Sequence, residues 1–311
     1  MKHLTRWLAV LLLAGNTLVA TATTISVEDA QGRKVTLQQP AQRIVALAPH
    51  IVENLFSAGA GARLVGVVSY SDWPPAARSI PEVGSFTAFS LEQIAALQPD
   101  LVVMWGSGNG PRALEKLLRL SLPVYVSELR SLADIPQEIR QLGRLAGSEE
   151  HAEREAQRLE HGFDELAARY SGRDRLPVFY QIWHEPLQTI NGEHLINEVL
   201  ELCGGNNLFS DARGLAPRIS LESVLAMNPR AIIAGGMDSQ HPEWLDFWRQ
   251  FPQLQAVSKD SLLSIHPDLM QRPTARLLEG ARQLCSALDA VRAGKRFSSA
   301  AERPAGPPQA P

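Results

Sequence analysis

An internal repeat constrains the fold of this 311-residue chain more than any other feature. The segment SLEQIAALQPDLVVMWGS at 90–107 matches SLESVLAMNPRAIIAGGM at 220–237. Each copy predicts a serine-capped helix, a turn at the proline and an apolar strand. Two copies in one chain therefore predict two lobes that are built alike.

Apolar strands and short helices alternate on both sides of one long helical segment. Runs such as RIVALAP and DLVVMW are separated by helical patterns, which is typical of a parallel sheet. Between the two halves, an apolar stripe recurs at helical spacing at Ala152, Ala156, Leu159, Phe163 and Leu166. We expect an α/β protein with two similar lobes, each with a central, mostly parallel sheet, joined by one long rigid helix.

The boundaries of the predicted parts follow from these patterns. We assign 23–143 to the N-terminal lobe, 144–172 to the connecting helix and 173–292 to the C-terminal lobe. Thr24 to Leu37 predicts a hairpin ahead of the first parallel strand. The tail 293–311 is rich in Ala, Pro, Ser and Gly, and we expect it to be disordered.

The first 22 residues have the pattern of a signal peptide. Lys2 and Arg6 precede a short apolar run, and Ala20, Thr21 and Ala22 fit a cleavage site. The alternative is a membrane anchor, but the apolar run is too short to cross a bilayer comfortably. We therefore expect export to the periplasm.

Charge, cysteines and motifs narrow the class of protein. The net charge is -3 with acids and bases interspersed, which does not predict a nucleic-acid-binding surface. Cys203 and Cys285 form an even pair in an exported chain, which favours a disulfide over two buried thiols. The sequence contains no HExxH, GxSxG, CxxC or phosphate-binding loop. We therefore expect a protein that is not an enzyme and that has no resident metal or cofactor.

Aromatic residues cluster at the ends of predicted strands. Tyr70 and Trp73 follow LVGVV, Phe86 precedes the first repeat helix, and Trp105 and Trp183 close two strands. Parallel sheets bind ligands at these ends, and rigid aromatic rings suit a large planar ligand. Any one ring fits simple packing under its own loop, whereas several together favour a binding cleft between the lobes.

Two pairs of charged residues complete the set of candidates. Asp268 and Arg272 follow the last strand, where they either contact polar groups of a ligand or belong to a surface loop. Glu92 and Glu222 lie in the first turns of the repeat helices, where acids complement the helix dipole. Their symmetric placement also suggests docking, with one carboxylate per lobe for the two halves of a symmetric transporter.

At these residues the sequence resembles the periplasmic vitamin B12-binding proteins of ABC importers. The resemblance runs from about Arg43 to Ala290 and rests on VGVVSYSDWPP, SLEQIAALQPDLVVMW, INEVLELCGGNNLF and ARLLEGARQLC. The sequence departs from that family in ARGLAPRIS, which lacks the family's Trp, and in IWHEPLQT.

The resemblance implies a carrier that captures cobalamin between its lobes with little closure. It also implies delivery to an inner-membrane permease dimer with its ATPase subunits, and we expect the carrier to be a monomer. The matching positions are Tyr70, Phe86 (a Trp in the family) and the loop from Asp268 to Arg272 for the ligand, Glu92 and Glu222 for docking, and Cys203 and Cys285 for the disulfide.

Two alternative ligands remain open for the same fold. Haem would need an axial ligand in the cleft, such as Tyr70 or His50. A ferric siderophore of the catecholate type is anionic and would need clustered arginines. An enzymatic role is disfavoured, because clusters of Cys and His ligands are missing.

Overall fold

The computed structural model describes residues 24–235 and 243–295, and it begins with a small antiparallel hairpin. Strand β1 (Ile25–Glu28) pairs with β2 (Lys34–Leu37), as predicted. The predicted signal peptide, 1–22, lies outside the described residues, and so does the part of the predicted disordered tail that follows 295.

The N-terminal lobe is built on four parallel strands. These are β3 (Ile44–Ala46), β4 (Leu64–Gly66), β5 (Leu101–Trp105) and β6 (Val124–Ser127), in the order β4-β3-β5-β6. The helices between them are α1 (Pro49–Ser57), α2 (Leu91–Ala96), α3 (Gly106–Asn109) and α4 (Pro111–Arg119). Nearly all the strand residues are buried, which explains their continuous apolar sequences.

Two packed helices lead out of this lobe. The first is α5 (Asp134–Ala146), which the sequence patterns did not reveal, and it ends at Gly147, whose φ of +67° is left-handed. The second, α6 (Glu149–Tyr170), is the predicted long helix, and its predicted apolar stripe is buried. The long helix begins at 149 rather than at 144, because Gly147 ends the helix before it. Across the described ranges, no helix has both the length and the apolar character that a membrane span would need.

The C-terminal lobe repeats the plan of the first lobe. Its parallel strands are β7 (Leu176–Gln181), β8 (Gly205–Asn207), β9 (Ala231–Ala234) and β10 (Leu262–Ser264), in the order β8-β7-β9-β10. Its helices are α7 (Leu195–Leu202), α8 (Leu221–Met227), α9 (Glu243–Trp248), α10 (Gln255–Ser258), α11 (Pro267–Met270) and α12 (Leu277–Arg292). The two sheets therefore have the same strand order, which confirms the predicted α/β fold.

The repeat occupies equivalent positions in the two sheets. The Ser90 hydroxyl accepts the Gln93 N–H at 3.2 Å, and the Ser220 hydroxyl accepts the Ser223 N–H at 3.2 Å. These serines cap α2 and α8, whose chains turn into β5 and β9. The capped helix, proline turn and strand are thus confirmed in both copies.

The predicted disulfide is present. Cys203, at the end of α7, is bonded to Cys285 in α12 across a sequence separation of 82 residues. Both residues are fully buried, so the bond fastens the last helix to the core of the C-terminal lobe.

The hairpin turn covers the outer edge of β6. The Ala30 N–H donates to the Val126 carbonyl at 3.0 Å, and the Arg33 guanidinium donates to the Val124 carbonyl at 2.9 Å. In return, the Val126 N–H donates to Asp29 Oδ2 at 3.3 Å. The hairpin therefore satisfies backbone groups that an edge strand would otherwise leave open.

Candidate functional site

A cavity of about 620 Å³ lies between the two lobes. Its volume is within the usual range for a small-molecule site. The residues that line it follow the carboxyl ends of strands in both sheets, where parallel sheets bind ligands. They include Tyr70, Phe86, Trp105 and the segment 128–130 from the N-terminal lobe, and the segment 193–196, Leu215 and most of 267–273 from the C-terminal lobe.

Aromatic rings form one wall of the cavity. Phe86 and Trp105 have ring centroids 5.9 Å apart, and the His50 ring meets Trp105 edge-on at 5.3 Å. Asn109 joins the backbone at these two residues, because its amide donates to the Phe86 carbonyl at 2.6 Å while its Oδ1 accepts the backbone N–H of Trp105 at 2.6 Å. Tyr70 completes the wall and is 76% exposed, so its ring is available to a ligand.

The cationic side chains that line the cavity are already paired. Arg272 donates through Nη1 to Glu53 at 2.8 Å and to Asp72 at 3.1 Å, and its Nε lies 3.2 Å from Asp268. Arg130 lies 3.5 Å from Glu128. These two are the cationic side chains among the described residues that line the cavity, so a ligand meets little uncompensated positive charge.

Two histidines of the cavity are neutral. Burial, and to a smaller extent the charge of Arg272, lowers the pKa of His50 to about 3. Burial also lowers the pKa of His194 to about 4, and its Nδ1 accepts the Ile196 N–H at 3.1 Å to cap α7. The cavity is therefore mostly apolar and aromatic at neutral pH, and its two arginines are paired with carboxylates.

The family described as Periplasmic binding protein matches residues 44–269. The chain belongs to this family. Within it, the chain is 36% identical over 255 residues to a protein of Pectobacterium carotovorum named Vitamin B12-binding protein, with 81% of this chain and 90% of that one covered. A protein of the same name from Vibrio cholerae is 33% identical over 249 residues, with 80% and 90% covered.

Solved structures of the periplasmic binding protein family have the same fold. The crystal structure of a periplasmic vitamin B12-binding protein of Vibrio cholerae superposes with a TM-score of 0.75 at 34% identity, covering 81% of this chain and 98% of that one. A periplasmic haem-binding protein of Vibrio cholerae gives a TM-score of 0.70 at 20% identity, covering 79% and 98%. The second likeness shows the shared fold alone.

Two aromatic residues that were predicted to contact ligand are outside the described lining of the cavity in this periplasmic binding protein. Trp73 is not among the described residues that line the cavity, and its ring instead lies under the Arg276 guanidinium at 4.4 Å. Trp183 is also absent from the described lining, and its ring meets Trp244 at 5.8 Å. Contact of these two rings with a ligand stays a prediction.

Several lining residues were missed by the sequence patterns. Leu129 and Arg130 follow β6, so a strict search of every strand end would have found them. His50 follows β3 and was named only as a possible haem ligand. Met270 and Gln271 lie inside the loop from Asp268 to Arg272 that the resemblance assigned to the ligand, and Gln271 donates to the Gly235 carbonyl. Among the described residues, no cluster of His, Cys, Asp and Glu could hold a metal ion.

The two candidate docking glutamates lie outside the cavity. Glu92 lies in the first turn of α2 and Glu222 in the first turn of α8, and both side chains are exposed. Hydrogen bonds from its own backbone and from Ser220 lower the pKa of Glu222. Because each helix returns the chain between parallel strands, its N-terminus lies at the carboxyl edge of its sheet. Both glutamates therefore lie on the edge that also carries the cavity.

Proposed function

We propose that this protein captures cobalamin, vitamin B12, in the cavity between its lobes and delivers it to an ABC importer. The observation that carries the proposal is the identity of 36% and 33%, over four-fifths of the chain, to two proteins named for vitamin B12 binding. The protein acts as a carrier without chemical conversion of the ligand, and the cobalt of cobalamin arrives with the ligand.

The character of the cavity supports a large, mostly uncharged ligand. Tyr70, Phe86 and Trp105 offer broad apolar area at low entropic cost, which suits the flat face of a corrin ring. Asp268 and Gln271 also line the cavity, and their polar atoms can meet amide groups at the periphery of the ring.

The alternative ligands are less well matched. A catecholate siderophore needs free cationic groups, whereas Arg130 and Arg272 are each paired with carboxylates. Haem needs an axial ligand, and the neutral imidazole of His50 is the best described candidate. Haem is therefore the second candidate in this proposal.

Delivery would use the two exposed glutamates. Glu92 and Glu222 supply one carboxylate per lobe on the edge of the molecule that carries the cavity. A permease dimer with its ATPase subunits could meet the monomeric carrier through one arginine cluster on each of its two subunits. Export to the periplasm would depend on the segment 1–22.

The experiment that tests this proposal is a binding titration of the purified mature protein. We expect one cobalamin per chain, seen by calorimetry and by a change in the cobalamin absorption spectrum, with an increase in melting temperature. Haem and a ferric catecholate are titrated in parallel. Binding of haem with no response to cobalamin would transfer the assignment to haem.

A pair of matched variants locates the site. Phe86→Ala removes a ring from the aromatic wall and should weaken cobalamin binding by roughly tenfold. Leu118→Ala removes an exposed apolar side chain outside the described lining and should leave binding unchanged. Equal affinity of the two variants would mean that the cavity is not the binding site.

A further inference from the structure

One cluster of contacts joins the two lobes beside the cavity. From the N-terminal lobe, Glu53 and Asp72 both accept hydrogen bonds from Arg272, at 2.8 and 3.1 Å. Glu53 also accepts one from Arg276 at 3.4 Å, and the Arg276 guanidinium covers the Trp73 ring at 4.4 Å. We call these five residues the inter-lobe brace.

The brace pairs a buried carboxylate with arginines from the opposite lobe. Glu53 is only 3% exposed, while Arg272 and Arg276 approach it from the opposite lobe. Each arginine therefore compensates the buried carboxylate, and Asp72 compensates Arg272 in turn. Such a buried charge is stabilised by its partners far more than an exposed one, so loss of one member leaves the others uncompensated.

Asn54, the residue after Glu53 in α1, makes a second contact with the C-terminal lobe. The Asn54 amide donates to the Pro273 carbonyl of the C-terminal lobe at 3.1 Å and to Glu138 Oε2 at 2.8 Å. Asn54 is fully buried, so water does not replace these bonds. Adjacent side chains of one helix thus hold the chain at 272–273.

The segment that is held in this way is also a wall of the cavity. Asp268, Met270, Gln271 and Arg272 all line the cavity, and Arg272 belongs to the brace as well. Movement of this segment would change both the width of the cavity and the position of its polar atoms. Glu53 touches the segment but is absent from the described lining of the cavity.

We propose that Glu53 is a positioning residue, which holds segment 268–273 in the ligand-ready conformation before the ligand arrives. The inference rests on the proposed function only in taking cobalamin as the ligand. A segment that is freed from Glu53 samples other conformations, and the apparent affinity falls in proportion to the fraction that remains competent. A competent fraction of about one tenth corresponds to a tenfold weaker apparent affinity.

The test compares Glu53→Gln and Asp72→Asn with Glu150→Gln. Glu150 is an exposed glutamate on α6 that pairs with Arg154, so its variant controls for loss of a carboxylate elsewhere. Asp72 is half-exposed, and its variant provides a brace mutation that does not disturb the core. Two readouts are measured: cobalamin affinity, and amide hydrogen exchange of residues 268–272 in the ligand-free protein.

We expect Glu53→Gln to weaken cobalamin binding by tenfold or more and to accelerate exchange at 268–272, while exchange in α6 and α12 stays as in the wild type. Asp72→Asn should act in the same direction with a smaller effect, and the double variant should be less than additive because both residues hold Arg272. Wild-type exchange at 268–272 in Glu53→Gln would overturn the inference. A wild-type protein that does not bind cobalamin would instead contradict the proposed function. The exchange data would still decide whether Glu53 positions segment 268–273.

Discussion

At the scale of single residues, Glu138 stands out as a carboxyl group buried without a charged partner. One oxygen accepts from Asn54 at 2.8 Å, and the other has no hydrogen-bond partner among the described residues. Burial raises the pKa of Glu138 from its ordinary 4.5 to about 7, and the hydrogen bond from Asn54 opposes this rise only weakly. The folded protein therefore holds a proton on Glu138 at a pH where the unfolded chain has released it.

This proton gives a pH dependence with a definite sign. The raised pKa means that the contribution of Glu138 to stability is fully present below pH 4.5 and is lost as pH rises through about 7. The free energy of unfolding of Glu138→Gln, relative to wild type, should therefore increase by up to roughly 3 kcal/mol between pH 5 and 8. Denaturant unfolding across this range measures the difference. Glu150→Gln should give a constant difference, and a constant difference for Glu138→Gln as well would contradict the prediction.

The position of a residue after a predicted strand identified part of the cavity lining, but it could not predict the direction in which each side chain points. Tyr70, Phe86 and Trp105 lie in the wall, together with Asp268 and Arg272. Trp73 follows the same strand as Tyr70 and yet turns to Arg276 of the other lobe. The sequence carries no sign of that partner, because the two residues are far apart in the chain and meet only when the lobes assemble.

At the scale of elements, the disulfide between α7 and α12 is expected to contribute substantially to stability. It closes a loop whose ends are 82 residues apart, which corresponds to roughly 4 kcal/mol in the chain-entropy treatment. Cys203→Ala with Cys285→Ala should lower the free energy of unfolding by about that amount. A reductant should have the same effect on the wild type and none on the double variant. Full alkylation of the unreduced wild-type protein, seen by intact mass, would refute the bond.

The capped helices α2 and α8 allow a test of docking that is separate from folding. Glu92→Arg with Glu222→Arg should abolish cobalamin uptake by vesicles that carry the cognate importer, because repulsion is added where attraction is lost. Cobalamin affinity should stay at the wild-type value, since neither residue lines the described cavity. Glu115→Arg with Glu279→Arg, two exposed glutamates on other helices, is the charge-matched control. Normal uptake by the first double variant would leave interaction with the helix dipole as the role of these glutamates.

Helix α5 shows why one element escaped the sequence patterns. Pro136 and Gly143 both suggest interruptions, but Pro136 lies in the first turn, where a helix tolerates proline. Gly143 faces α6 so closely that an added Cβ would lie 2.2 Å from the Cβ of Ala152. Its lack of a side chain serves helix packing, and that need becomes visible only when both helices are in place.

At the scale of the whole molecule, the inter-lobe brace and α6 together predict a carrier that hardly changes shape. Contacts from Glu53, Asn54 and Asp72 to the opposite lobe already exist without ligand. The radius of gyration from small-angle X-ray scattering should therefore stay the same, within error, when cobalamin is added. Glu53→Gln with Asp72→Asn should show a larger value without ligand. A clear contraction of the wild type on binding would contradict the prediction.

The hairpin on the edge of β6 prevents this strand from pairing with a strand of a second molecule. Asp29, Ala30 and Arg33 occupy the hydrogen-bonding positions that a strand from a second copy would need. A chain that begins after Leu37 would present Val124 to Val126 as an open edge, and open edges recruit strands from neighbouring molecules. Such a truncated chain should form higher species with rising concentration in sedimentation velocity, while the chain with its hairpin sediments as one species. The fifteen or so residues at the start of the first lobe would then act as a guard against aggregation.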